Sequence, residues 1–146
     1  MNDMKSHDCR SICPIANILD VVGDRWTLLV IRDLLFFEKH EYHEFLNAGE
    51  GVSTNILAER LKRLLNEGIV KAQPHATNKK RKLYYLTSKG KDLLPIMTQM
   101  AFWGGKYLEG SKEARPKIAQ VQKNPALFSK KVLATLSKWE KKHLEP

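Results

Sequence analysis

The chain has 146 residues, 42% of them hydrophobic and 28% charged, with a formal net charge of +9. This length is one domain's worth with room for an appendage, and a chain this size buries roughly 70% of its unfolded surface. The composition excludes wholesale disorder and predicts a core that needs neither disulfides nor a metal.

The charge is unevenly spread. Residues 1 to 68 hold 8 basic and 11 acidic side chains, residues 69 to 91 hold 7 basic and none acidic, and residues 106 to 146 hold 10 and 4. A basic middle and tail suit a polyanion such as nucleic acid or an acidic membrane surface, or serve only solubility. No segment has the 18 or so consecutive apolar residues of a membrane span, and "MNDMKSHDCR" is too polar for a signal peptide, so a cytoplasmic protein with no membrane partner is expected. Two cysteines, Cys9 and Cys13, are too few and too close for a secreted disulfide framework.

In chain order, Pro14 opens a helix with Ile15, Ile18, Leu19 and Val22 on one face, ended by Gly23. Asp24 is an N-cap for "RWTLLVIRDLLFF", whose near-continuous apolar run predicts burial on more than one side. Tyr42, Phe45 and Leu46 mark a short helix, followed by a turn at Gly49 and Gly51. Ser53 then caps "TNILAERLKRLLNE", closed by Gly68. Two helices joined by a tight glycine turn form a helix-turn-helix.

The second of these helices has two unlike faces. Ile56, Leu57, Leu61, Leu64 and Leu65 make the apolar one; Asn55, Ala58, Glu59, Lys62 and Asn66 make the other, with fewer Glu–Lys pairs than a solvent face usually carries. Arg60 lies on the apolar flank, where its stem is expected to pack and its head to form a structural ion pair.

Beyond Gly68 the period changes. Ile69-Val70 and Leu83 to Thr87 predict a two-stranded hairpin, with a turn from Pro74 to Asn78 and a basic tip at Lys79, Lys80 and Arg81. Ser88 is expected to cap a helix bent by Pro95, with Leu93, Leu94, Met97, Met100, Ala101 and Trp103 as apolar positions. Residues 110 to 124 read as a polar connector. Residues 125 to 146 then place Phe128, Val132, Leu136 and Trp139 on one face of an amphipathic helix with Lys130, Lys131, Lys138, Lys141 and Lys142 around the rest.

The fold class expected is therefore mainly α with a small β-hairpin: a winged helix-turn-helix with extra N- and C-terminal helices. "CPIANILDVVGDRWTLLVIRDLLF", "GVSTNILAERLKRLLNEGIV" and "LYYLTSKGKDLLPIM" with Trp103-Gly104 resemble the HxlR family of bacterial and archaeal transcriptional regulators over residues 13 to about 107. Lys79 to Leu83 departs from that pattern, standing where family wings often carry prolines and an acidic residue, and Lys82 takes a strand position the family usually fills with an apolar residue, so the resemblance implies that it is partly covered. The resemblance implies a homodimer built through the first helix and the helix after the wing. It also implies that the Ser53-capped helix enters the major groove of a pseudo-palindromic double-stranded DNA operator while the wing reaches flanking backbone.

The expected organisation is a flexible segment over 1–12, a DNA-binding and dimerisation domain over 13–109, a connector over 110–124 and a C-terminal helix over 125–146. Ser53, Thr54, Asn55, Ala58, Glu59, Lys62, Lys79, Lys80 and Arg81 are the expected DNA contacts, with asparagine suited to a bidentate contact with adenine and the cations to sequence-independent attraction. The alternative is a winged-helix interaction module that uses the same surface on an acidic protein.

Cys13 before Pro14 matches a family position at which members sense oxidants, quinones or aldehydes, and a helix N-terminus favours a thiolate, with Arg10 adding to that field. Burial as a small apolar residue in a dimer core is the competing reading. Cys9 is either its partner thiol or an incidental one. His7, Cys9 and Cys13 lack a fourth partner for zinc, and His40 with His43 reads as a surface helix pair, so no metal is expected. "CRSIC" lacks the Cys-x-x-Cys spacing of thiol oxidoreductases, and no other catalytic constellation or cofactor motif occurs, so no enzyme and no cofactor are expected.

Overall fold

The computed structural model describes residues 8–144, and His7 lies outside them. The chain divides into two compact units, Met1–Gly90 and Lys91–Pro146.

The first unit opens with α1 (Pro14–Val22) and α2 (Arg25–Phe36). Pro14 at the first position presets the helical φ of α1. Asp24 caps α2, accepting from the Thr27 amide at 3.0 Å and its hydroxyl at 2.6 Å. Thr27, Val30, Ile31, Asp33, Leu34 and Leu35 of α2 are all buried, so the helix is covered on more than one side, as its apolar run predicts. The buried Asp33 carboxylate is held by Arg32 Nε at 3.0 Å; burial pushes its pKa up, against the opposing pull of Arg32 and Lys39.

The helix-turn-helix is α3 (Tyr42–Leu46) and α4 (Thr54–Asn66). Gly49 and Gly51 take φ of 88° and 80° in the turn between them, a region closed to most side chains. Phe45 of α3 and Leu57, Leu61 and Leu64 of α4 are buried, and Tyr42 donates to the Thr54 carbonyl at 3.1 Å.

His40 corrects the sequence expectation. It precedes α3, is 3% exposed, and accepts through its carbonyl from the Tyr84 amide at 2.7 Å, while its Nδ1 lies 2.9 Å from the Tyr84 carbonyl. Periodicity could not show this, because the partner is 44 residues away. His43 alone of that pair is exposed.

The wing is an antiparallel pair of β1 (Val70–Pro74) and β2 (Lys82–Leu86), in register Ala72↔Tyr84. Leu83, Tyr84 and Leu86 are buried, whereas Lys82, expected to be partly covered, is exposed where the ladder ends opposite Pro74. The following turn is tied by Thr87, not Ser88: its hydroxyl donates to the Gly68 carbonyl at 2.5 Å and accepts from the Gly90 amide at 3.2 Å.

The single bent helix expected after the wing is two helices. α5 (Ser88–Lys91) straddles the unit boundary and α6 (Leu94–Tyr107) restarts with Pro95 in its first turn, where a missing amide costs nothing. Leu94 and Met97 are buried, but Met100, Ala101 and Trp103 are exposed. The stretch read as a connector is ordered as a 3₁₀ segment (Glu109–Ala114) and α7 (Arg115–Lys123). It packs because Gly105 of α6 leaves room for Ile118, and Arg115 Nε donates to the Gly105 carbonyl at 2.7 Å. α8 (Pro125–His143) is capped by Asn124, buries Val132 and Leu136, half-buries Phe128 and Trp139, and pairs Glu140 with Lys91.

Candidate nucleic-acid interface

The first turn of α4 is presented to solvent by its own cap. Ser53 Oγ accepts from the Ile56 amide at 3.3 Å, which fixes the chain direction and leaves Thr54 and Asn55 at the exposed, positive end of the helix dipole. Burial of Leu57, Leu61 and Leu64 on one side orients the rest. Ser53, Thr54, Asn55, Ala58, Glu59, Lys62 and Asn66 are all exposed, so the sequence-predicted polar face is a single open surface.

That face is kept at a set angle by an ion-pair network behind it. Arg60 Nε donates to Asp24 Oδ1 at 2.9 Å and its Nη1 pairs with Glu59, while Arg63 lies 3.6 Å from Asp24. Arg60 is therefore structural, as its place on the apolar flank predicts. Burial raises the Asp24 pKa, but the Thr27 bonds and Arg60 outweigh it and hold this carboxyl below its ordinary value. Glu59 is turned partly toward Arg60 and Arg63, so its acid is matched within the helix.

The wing tip is organised by hydrogen bonds to its own backbone. Asn78 Oδ1 accepts from the Lys80 amide at 3.1 Å, the Asn78 carbonyl accepts from the Arg81 amide at 2.9 Å, and the His75 amide donates to the Arg81 carbonyl at 2.9 Å. Lys79 and Lys80 stand exposed on this turn with no ion pair among the described residues. Arg81 differs: both ends of its guanidinium fork are on Glu41, at the N-cap of α3. The sequence puts Arg81 with the free cations and Glu41 with the acidic residues of the short helix, where basic ones would aid phosphate contact, and does not show that the two are partners. The signal for Glu41 is its place three residues before Glu44, whose carboxylate accepts from the Glu41 amide at 3.1 Å.

Cys13 is the exposed N-cap of α1, its amide donating to Ser11 Oγ at 3.0 Å, and Cys9 is exposed as well; neither is in a disulfide. Arg10, expected to add to the field at Cys13, instead pairs with Asp20. No group of three or more metal-ligating side chains occurs among the described residues. Nor is any described helix long and apolar enough to cross a membrane.

A helix-turn-helix with an open polar face on its second helix, followed by a hairpin with a basic tip, defines a winged helix-turn-helix DNA-binding protein. Residues 21–112 match the HxlR-like helix-turn-helix family, and the chain belongs to it. It is accordingly a DNA-binding transcriptional regulator and not an enzyme. A helix-turn-helix transcriptional regulator of Synechocystis sp. is 33% identical over 98 residues, 67% of this chain and 72% of that one. Among solved structures, the redox regulator HypR in its oxidised form matches with a TM-score of 0.59 and 28% identity, covering 66% of this chain and 99% of that one. The reduced form of the transcriptional regulator YodB from B. subtilis matches with a TM-score of 0.53 and 29% identity, covering 68% and 98%.

Proposed function

We propose that this protein is a dimeric, sequence-specific repressor that reads a pseudo-palindromic operator and responds to oxidants or electrophiles through Cys13. The observation that carries the reading is the open face of α4, where Thr54 and Asn55 sit exposed at the helix N-terminus and Lys62 stands a turn or two further along with no ion pair among the described residues. Hydroxyl and amide groups match base edges, and an asparagine can bond N6 and N7 of adenine together. Ser53, Ala58 and Glu59 frame that contact. Lys79 and Lys80 supply phosphate contacts that set affinity, with Arg81 positioning the tip and reaching DNA when Glu41 releases it.

Dimerisation is supported by apolar surface on each unit. Ile12, Ile15 and Leu19 on and before α1 are 102%, 71% and 61% exposed, and Ile96, Met100, Trp103 and Tyr107 line an exposed stripe of α6. Such stripes are expensive to leave in water and mark interfaces. In this reading the functional domain runs over residues 13–109.

Sensing is supported by the exposure of Cys13 at a helix N-terminus and by the kinship with a redox regulator. Cys9, four residues earlier and also exposed, is the second thiol of this reading, the one that condenses with an oxidised Cys13. Selection of bound sites from a random DNA pool, run on reduced and on diamide-treated protein, tests the whole reading. A pseudo-palindromic consensus that is lost on treatment is expected. Equal retention of all sequences would refute operator recognition, and an unchanged affinity with Cys13 fully modified would refute sensing.

A further inference from the structure

We infer that the outer face of α8 is a second DNA-binding surface, one that grips phosphates without reading bases. The inference rests on the chain's being a DNA-binding protein. It concerns a segment beyond the family match, which ends at residue 112.

The observation is the one-sidedness of this helix. Lys130, Lys131, Lys138, Lys141 and Lys142 are all exposed, and on a regular helix they fall within an arc of about 120°. None makes an ion pair among the described residues, and the one acidic residue of α8, Glu140, lies off that arc and is held by Lys91. A face meant only for solubility usually intersperses both signs in i,i+4 pairs. Here five cations repel one another, with no acidic side chain of the described residues on the arc between them.

The helix also has the reach for the task. From Lys130 to Lys142 is about 18 Å along the axis, which spans about five phosphates of one strand. A lipid surface is the poorer fit. An interfacial helix needs its apolar side free to insert, and Val132 and Leu136 are already buried in the folded chain. Within the lysine arc the apolar side chains are only Leu127 and Ala134.

The test uses the full chain and a duplex carrying the selected site with flanks on both sides. The triple variant K131Q/K138Q/K142Q should keep its fold by circular dichroism, because all three side chains are exposed. It should flatten the slope of log affinity against log salt by about two to three, at least about a tenfold loss at low salt. A control with equal charge loss, K112Q/K117Q/K123Q, should change the slope by less than about one. An unchanged slope in the α8 variant, while the wild type still binds its site in preference to random DNA, overturns the inference and leaves the proposed function standing. Equal losses in both variants overturn it in favour of a general charge effect. Wild-type binding to phosphatidylserine vesicles that the triple variant loses, with its DNA slope unchanged, overturns it in favour of lipid. A wild type that binds no DNA overturns both readings together.

Discussion

Arg81 and Glu41 are 40 residues apart in sequence and joined by two hydrogen bonds of 2.7 Å, from Nε and Nη2 of the guanidinium to the two carboxylate oxygens. Glu41 is mostly covered and Arg81 is 45% exposed, so the pair sits at the rim of the cleft between α3 and the wing. Planar bidentate geometry sets this pair apart from ordinary surface ion pairs. It fastens the tip of the wing to the N-cap of the first helix of the helix-turn-helix, and it occupies one cation of the proposed DNA-facing tip. Glu41→Gln should release that cation. Salt titrations followed by fluorescence anisotropy should then show the slope steepening by about one, with affinity for random DNA rising more than affinity for the operator. A slope equal to that of the wild type would show that Arg81 never reaches phosphate.

The two halves of the proposed interface should fail differently. Asn55→Ala should cost about 1 to 3 kcal/mol on the operator and relax the preference at one base pair of each half-site. Lys80→Ala should weaken binding to all sequences alike and flatten the salt slope by about one. Binding curves for the operator and its single-base variants separate these outcomes; the same profile for both substitutions would refute the division between reading and gripping.

Ile15 and Trp103 are 71% and 60% exposed, so a charge at either position costs the isolated chain little. In a dimer that covers them, Ile15→Glu and Trp103→Glu should each shift the sedimentation profile from dimer to monomer and weaken operator binding. Retention of the dimer by both variants would place the interface elsewhere.

Asp24 links pH to stability. Its carboxyl is held below the ordinary value despite burial, through Thr27 and Arg60, so the folded state favours the ionised form. That contribution is full above the unfolded value of about 4 and is lost as pH falls through the lower folded value. Asp24→Asn should reduce stability at neutral pH by about 1 kcal/mol and give a shallower loss on acidification, measured by urea unfolding at several pH values. Parallel curves for the two proteins would show that another group dominates the acid limb.

Much of this was legible in the sequence because it is local. The cap at Ser53, the stop at Gly68 and the two faces of α4 follow from spacing and residue type, and the exposed row from Ser53 to Lys62 is the one the pattern predicts. What was not legible depends on partners distant in the chain. His40 is buried because its backbone joins β2, and Arg81 is tethered because α3 brings Glu41 beneath it. Residues 110–124 look like a linker by composition, yet the gap at Gly105 gives Ile118 a seat and the segment coils around it. The stripe of α6 has the spacing of a core, and only the fold shows that Ile96, Met100, Trp103 and Tyr107 are exposed.

The contact between His40 and Tyr84 also bears on how the protein survives crowding. Tyr84 turns its amide to His40 on the side away from β1, so the hairpin is closed on that flank by a non-strand segment of the same chain. A two-stranded ribbon ordinarily offers both flanks as templates for further strands, the first step toward sheet-like aggregates. Here β2 offers no template at its midpoint. The flank of β1 is weakened in turn at Pro74, which has no amide to give.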